Sequence, residues 1–240
     1  MFLRNVELLR EKIKQDNQYP FSIPTIQTMD VIKLTSNVTF FVGENGSGKS
    51  TLLEAIAYQC GFNTAGGGRN NNYSLEASGS ALGEHIRLSW LPKVTKGFFL
   101  RAESYYNFAT HIDSIGAERY YGGQSLHEQS HGESFLSLFV NRFSGKGIYL
   151  LDEPEAALSP SRQLAFLRLL YDLKDTSQFI IATHSPIILG FPDAQILSFD
   201  DSPIREIQYE ETEHYQITRR FLENKKRYLN ELFDDVEGEI

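Results

Sequence analysis

Cysteine is almost missing from this sequence: Cys60 is the only one in 240 residues. An intramolecular disulfide is thereby excluded, and a lone thiol fits a reducing compartment. Missing too is any stretch approaching the roughly 20 uninterrupted apolar residues that a membrane span requires. The opening residues, Met1-Phe2-Leu3-Arg4-Asn5-Val6-Glu7, lack the apolar core of a signal peptide. A cytoplasmic protein with no membrane segment is the expectation. Positive charge is not in excess. The formal net charge of -8 argues against a protein that coats nucleic acid, while a local basic patch stays compatible with it. There is no repeat of fixed period and no run of coiled-coil heptads. What is present is 41% hydrophobic and 22% charged residues, a composition able to bury a full core. The length suits one fairly large domain, or one domain with a small appended lobe.

Short strands joined by turns are expected over residues 1 to about 42, with Tyr19 to Pro24, rich in proline, as edge strand or loop. Val38-Thr39-Phe40-Phe41-Val42, Ile148-Tyr149-Leu150-Leu151 and Phe179-Ile180-Ile181-Ala182-Thr183 read as strands buried on both faces, as in a parallel sheet. Thr51 to Tyr58 is a helix with apolar residues on one side, and Pro160 to Lys174 is a helix whose leucines line one face. Cys60 reads as a small buried hydrophobe near a helix end. Residues 84 to 101 read as strands with Gly97 at a turn, 103 to 143 as mainly helical, and 194 to 209 as further short strands. Gly66 to Asn72 predicts a flexible loop. Glu211 to Phe233 predicts one charged amphipathic helix before an acidic tail. Strands alternating with helices imply an α/β fold with a mostly parallel central sheet, carrying an antiparallel β lobe and a helical lobe.

The chemistry concentrates in three places. Gly43-Glu44-Asn45-Gly46-Ser47-Gly48-Lys49-Ser50 matches G-x-x-x-x-G-K-[ST], with a strand before it and a helix after it. Glycines let successive N–H groups turn inward onto phosphate oxygens, and the helix N-terminus adds positive potential. Lys49 would neutralise the terminal phosphates of ATP, the Ser50 hydroxyl would ligate Mg²⁺, and Thr51 completes the binding set. Leu150-Leu151-Asp152-Glu153-Pro154 places two carboxylates at the end of a buried strand. They would be costly there without a cation or a water to use them. Asp152 suits the magnesium shell and Glu153 the water-activating base. His184, directly after the strand ending at Thr183, would sit at the same sheet edge and reach a γ-phosphate oxygen.

In this order, with Ser130-His131-Gly132-Glu133 between them, the motifs resemble the ABC-type ATPases, a branch of the P-loop NTPases, over about residues 38 to 200. By that resemblance Ser130, Gly132 and Glu133, ahead of a helix from Ser134 to Val140, form a signature that caps the γ-phosphate held by a second copy. ATP would then be sandwiched in a head-to-tail homodimer. Glu155-Ala156-Ala157-Leu158-Ser159 would face the opposite subunit. The pattern Asp152-Glu153-Pro154-Glu155 is similar to the soluble branch: SMC-like, recombination-mediator and OLD-type ATPases and stand-alone bacterial relatives. That kinship implies Mg-ATP hydrolysis that drives or gates a protein partner, with DNA maintenance and phage defence as candidate processes. The family glutamine of the magnesium site has no counterpart. Glu103 is the candidate by position, its alternative being an exposed acid at a helix start. Tyr19 or Phe21 could stack on adenine, or serve the core. On this resemblance the whole of 1-240 is one domain. Residues 1-103 and 145-210 are its nucleotide-binding core, 104-144 a helical signature lobe, and 211-240 an amphipathic helix with a tail.

Other readings compete. His127-Glu128-Gln129-Ser130-His131 also fits the zinc-protease pattern H-E-x-x-H, but its second histidine runs into Gly132, where helices tend to stop. An energy-coupling subunit of a membrane transporter shares the motif order. A nucleotide-gated binding module would need no rapid turnover. In the terminal helix, Phe221, Leu222, Tyr228, Leu229 and Phe233 suit docking on the domain itself. Arg219, Arg220, Lys225, Lys226 and Arg227 read as a solvated face rather than a nucleic-acid site.

Overall fold

The computed structural model describes residues 1–64, 80–102, 110, 136, 139, 140 and 145–234. Two sheets organise them. A six-stranded sheet has the order β5-β6-β7-β3-β8-β9, formed by β3 (Val38–Val42), β5 (Gly97–Arg101), β6 (Gly147–Asp152), β7 (Ser177–Ala182), β8 (Gln195–Ser198) and β9 (Arg205–Ile207). All neighbours are parallel except β8 and β9. A three-stranded antiparallel sheet has the order β2-β1-β4, from β1 (Leu3–Leu8), β2 (Val31–Lys33) and β4 (Ile86–Trp90).

Every residue of β3, β6 and β7 is buried because both faces of the large sheet are covered. Successive side chains point to opposite faces, so Phe40, Tyr149 and Ile181 join one core while Phe41, Leu150 and Ile180 join the other. On the first face lies α4 (Pro160–Leu173), with Phe166 and Leu170 inward; Phe139 packs there too, its ring 5.1 Å from that of Phe166. On the second face lie α2 (Lys49–Cys60) and the antiparallel sheet.

Buried glutamines stitch the sheets together. Gln178 Oε1 accepts from the backbone N–H of Phe2 and of Leu3, both at 2.8 Å, and its Nε2 donates to the Leu3 carbonyl at 2.9 Å. With both ends of the amide used, burial of Gln178 carries no unsatisfied-group penalty of about 1–3 kcal/mol.

Several local expectations need correction. Helix α2 is buried nearly all round rather than along one side, because the sheet covers one flank and the β lobe another. Cys60 is buried at its last position. A short helix, α1 (Pro24–Thr28), opens on Pro24, where the missing N–H costs nothing. Gly97 is the first residue of β5, not a turn: a Cβ there would lie 2.1 Å from the Ile148 carbonyl oxygen. The inward face of α4 centres on Gln163, Phe166 and Leu170, and Leu164 is exposed. Two further short helices are α3 (Ser80–Gly83) and α5 (Pro186–Leu189), and the terminal helix is two helices, α6 (Glu213–Glu223) and α7 (Lys225–Asp234), broken at Asn224. Helix α6 fully buries none of its residues; of the side chains expected to dock, Leu222 and Phe233 are 73% and 60% exposed, while Phe221, Tyr228 and Leu229 are half-buried, Phe221 and Tyr228 packing on each other with ring centroids 5.8 Å apart.

Candidate functional site

The loop between β3 and α2 is shaped by left-handed glycines. Gly43, Gly46 and Gly48 have φ of 142°, 83° and 103°, values that side-chain-bearing residues rarely adopt. Gly43 is needed for space as well: a Cβ would lie 2.9 Å from Asp200 Oδ1, which accepts a hydrogen bond from the Glu44 N–H at 2.7 Å. At Gly48 a Cβ would meet Thr25 Oγ1 at 3.0 Å, and the Thr25 hydroxyl donates to the Ser47 carbonyl. Short helix α1 therefore braces the loop from outside. Within the loop, Lys49 Nζ is buried and donates to the Gly43 and Glu44 carbonyls at 2.6 and 2.9 Å. Burial lowers the Lys49 pKa, opposed by Glu153, Asp152, Asp200 and Glu44. Ser47 Oγ is buried without a hydrogen-bond partner. A buried ammonium, an unused hydroxyl and a left-handed glycine loop at a helix N-terminus together fit a phosphate chain.

Beside the loop, the carboxyl ends of β5 and β6 bring acids and a base together. The Ser50 hydroxyl donates to Asp152 Oδ1 at 2.9 Å. Arg101 Nε donates to Asp152 Oδ2 at 2.9 Å, and its Nη2 lies 3.0 Å from Glu54 Oε1. Strand register explains this meeting, since Arg101 pairs directly with Asp152. Burial raises the pKa of Glu54, an effect the Arg101 guanidinium opposes without overcoming. A cavity of about 220 Å³ is lined by Ser50, Arg101, Asp152 and Glu153. Hydroxyl and carboxylate oxygens are the hard donors that Mg²⁺ takes, so this donor set fits a magnesium ion that keeps most of its waters.

Glu153 holds a left-handed backbone, φ 51° and ψ 52°, with its N–H bonded to the Ala182 carbonyl at 2.9 Å. For a residue bearing a side chain this is a strained conformation, of order 1 kcal/mol or more. It turns the carboxylate to within 3.7 Å of His184 Nε2. Glu155 faces inward, accepting from Thr183 Oγ1 at 2.7 Å and from the His184 N–H at 2.5 Å. Its carboxylate therefore organises the loop that carries His184, whatever the rest of the 155–159 segment faces. His184 Nδ1 lies 2.8 Å from Nε2 of His214 on α6. Burial lowers the pKa of both histidines, Lys49 adding to the effect on each.

Two family models match the chain: "AAA domain" over residues 22–121, and "AAA domain, putative AbiEii toxin, Type IV TA system" over residues 120–190. The chain has a mixed α/β fold, a mostly parallel sheet beside an antiparallel one, with the glycine loop between β3 and α2. Solved structures similar to it include an SMC head domain from Thermotoga maritima, 17% identical, with 87% of this chain and 99% of that one covered and a TM-score of 0.48. Another is the ADP conformation of an ATP-binding cassette of an ABC transporter, 16% identical over 87% and 91% of the two chains, TM-score 0.49. A third is part of an ABC transporter complex from Clostridium perfringens, 17% identical over 86% and 92%, TM-score 0.46. No curated protein matches.

Within this α/β fold the loop residues 43–51, Asp152, Glu153 and His184 all gather at one edge of the sheet. Glu103, Ser130, Gly132 and Glu133 lie outside the described residues, as do His127, Glu128 and His131 of the H-E-x-x-H pattern. Among the described residues no cluster of three or more His, Cys, Asp or Glu side chains could hold a metal, and no helix is long and apolar enough to cross a membrane. Of the two candidate aromatics, Tyr19 is 59% exposed, with its hydroxyl 3.3 Å from Thr51 Oγ1. Phe21 is committed elsewhere, edge-on to His85 with ring centroids 4.9 Å apart.

Sequence reasoning passed over Asp200, Thr25, Arg101 and His214. Asp200 could have been found, since an acid two residues beyond β8 sits at the same carboxyl edge as Asp152 at the end of β6. Arg101 follows the same logic at the end of β5. Nothing in the local sequence marks His214.

Proposed function

We propose that the chain binds Mg-ATP in the loop Gly43–Ser50 and hydrolyses it. The observation that carries this reading is the hydrogen bond from Ser50 to Asp152, with Glu153 beside them in the same cavity. Lys49 would neutralise the β and γ phosphates, and the Ser50 hydroxyl, Asp152 and Glu103 would hold the magnesium. When bound, the metal supplies charge neutralisation to the phosphate oxygens. Glu153 orients the attacking water and takes its proton, a task served by a carboxylate whose backbone is held in one strained conformation. His184 donates to a γ-phosphate oxygen from its unpartnered Nε2.

We read residues 1-240 as one domain, with 104-144 as the helical lobe. Ser130, Gly132 and Glu133 of that lobe would cap the γ-phosphate of a second copy, so that two nucleotides are closed between two chains. Closure on ATP and opening after hydrolysis would drive or gate a protein partner in the cytoplasm. The Glu153→Gln variant tests this: it should bind ATP, run as a dimer in light scattering with saturating Mg-ATP, and hydrolyse at least about a hundredfold more slowly than the parent. A monomer under those conditions sinks the two-chain reading, and undiminished turnover sinks the role of Glu153.

A further inference from the structure

His184 has one ring nitrogen engaged and one in reserve. Its Nδ1 lies 2.8 Å from His214 Nε2, with ring centroids 4.9 Å apart. Its Nε2 is buried, has no hydrogen-bond partner, and lies 3.7 Å from Glu153 Oε1. Both rings are pushed toward the neutral form by burial. A neutral imidazole carries one N–H, so one ring of the pair donates and the other accepts. Suppose His184 gave its proton through Nδ1. Its Nε2 would then be a bare lone pair turned toward a carboxylate, unable to donate to anything. Suppose instead His214 Nε2–H donates. His184 then keeps its own proton on Nε2, facing Glu153, where it can serve an anionic oxygen. Only the second arrangement leaves His184 Nε2 with a proton to present to the carboxylate side of the site.

We propose that His214 is a positioning residue that holds His184 in the Nε2–H tautomer and fixes its ring toward the phosphate end of the site. The inference rests on the reading of His184 as the phosphate-facing histidine. His214 lies in the first turn of α6, and that turn is fastened to the segment following His184. The Tyr209 hydroxyl, just before the helix, donates to the Pro186 carbonyl at 2.8 Å. Buried Thr212 caps α6 by accepting from the Tyr215 N–H, and the Tyr209 and Tyr215 rings lie 4.6 Å apart. The start of the C-terminal helical arm and the histidine loop are thus one packed unit, joined at Tyr209–Pro186 and His214–His184. An orienting partner for a functional imidazole is worth about ten- to a hundredfold where such pairs serve a metal.

The test uses the full chain labelled with ¹⁵N-histidine. Long-range ¹H–¹⁵N spectra near pH 7.5 report which ring nitrogen of His184 carries the proton. The expected result is Nε2–H in the parent and in His214→Gln, whose side-chain amide can still donate, and a shift toward Nδ1–H in His214→Ala. Steady-state hydrolysis should show kcat lowered at least about tenfold in His214→Ala, with KM for ATP changed less than about threefold and kcat largely restored in His214→Gln. Nδ1–H in the parent, Nε2–H persisting in His214→Ala, or an unchanged kcat in that variant would each overturn the proposal. Should the parent chain prove unable to hydrolyse ATP while the tautomer still depends on residue 214, the hydrolysis reading fails and the positioning role stands.

Discussion

Ser50 and Asp152 meet across a 2.9 Å hydrogen bond although 102 residues separate them along the chain. The contact exists because β3, which delivers Ser50 through the glycine loop, lies one strand away from β6, with only β7 between them. Removing either partner should weaken Mg-ATP more than ATP alone. For Ser50→Ala, titration with a fluorescent ATP analogue is expected to show at least about a tenfold loss in the presence of magnesium, since the proposed metal ligand is gone. A similar loss in EDTA would remove magnesium from the explanation.

Glu153 is strained where it stands, and glycine would not be. Glu153→Gly is expected to leave the fold as stable as before or more stable by up to about 1 kcal/mol, relief of the left-handed backbone being offset by glycine's greater freedom when unfolded. Hydrolysis should be lost. Urea denaturation paired with single-turnover assays checks both halves. Destabilisation by more than about 1 kcal/mol would show that Glu153 holds the fold rather than serving the site.

Arg101 faces two carboxylates, and Glu54 is only 5% exposed. Arg101→Met should cost about 3 kcal/mol or more, because it strands a buried acid. Adding Glu54→Gln should recover much of that loss, the hallmark of coupling in a double-mutant cycle. Strict additivity of the two changes would show that the pair is incidental.

The histidine pair carries a pH signature. Both folded-state pKa values lie below the ordinary 6.5, burial being the first cause. The unfolded chain therefore takes up protons before the folded one does. The contribution of the pair to stability is complete above about pH 6.5 and is lost as pH falls below it. Around the pair stand Lys49, Asp200, Glu44, Glu153 and Glu213. Buried Glu54 and Glu155 have raised pKa values and act in the opposite direction, so the comparison must be between chains. Urea midpoints at pH 7.5 and 5.5 should fall less for His214→Gln than for the parent. An equal or steeper fall would contradict neutral burial of the pair.

Gly97 is a purely steric prediction. A Cβ there would lie 2.1 Å from the Ile148 carbonyl oxygen and 2.4 Å from Phe62 Cζ. Backbone cannot yield as a side-chain tip can, so Gly97→Ala should destabilise by about 2 kcal/mol or more. Leu222→Lys, on an exposed flank of α6, should stay within about 0.5 kcal/mol of the parent. Thermal and urea melts of both variants check the contrast.

Much of the fold was legible because its signals are local. Val38–Val42, Gly147–Asp152 and Ser177–Ala182 are apolar, β-rich runs, and a parallel sheet covered on both faces demands such runs. The errors lie where neighbours outside the segment decide. Gly97 looks like a turn until Ile148 is placed against it, and the terminal amphipathic pattern suits docking although Leu222 stays 73% exposed.

The sequence by itself determined the glycine loop, the three buried strands and the acids and histidine that end them. Backbone freedom at glycine and burial period are properties of consecutive residues. Only the tertiary structure decided which of those ends meet: Ser50 with Asp152, Arg101 with Asp152 and Glu54, Asp200 with Glu44, and His214 with His184. Those meetings follow from the order β5-β6-β7-β3-β8 and from where α6 starts against Pro186. Strand order and helix docking are set by packing between segments distant in the chain, and no window of sequence contains that information.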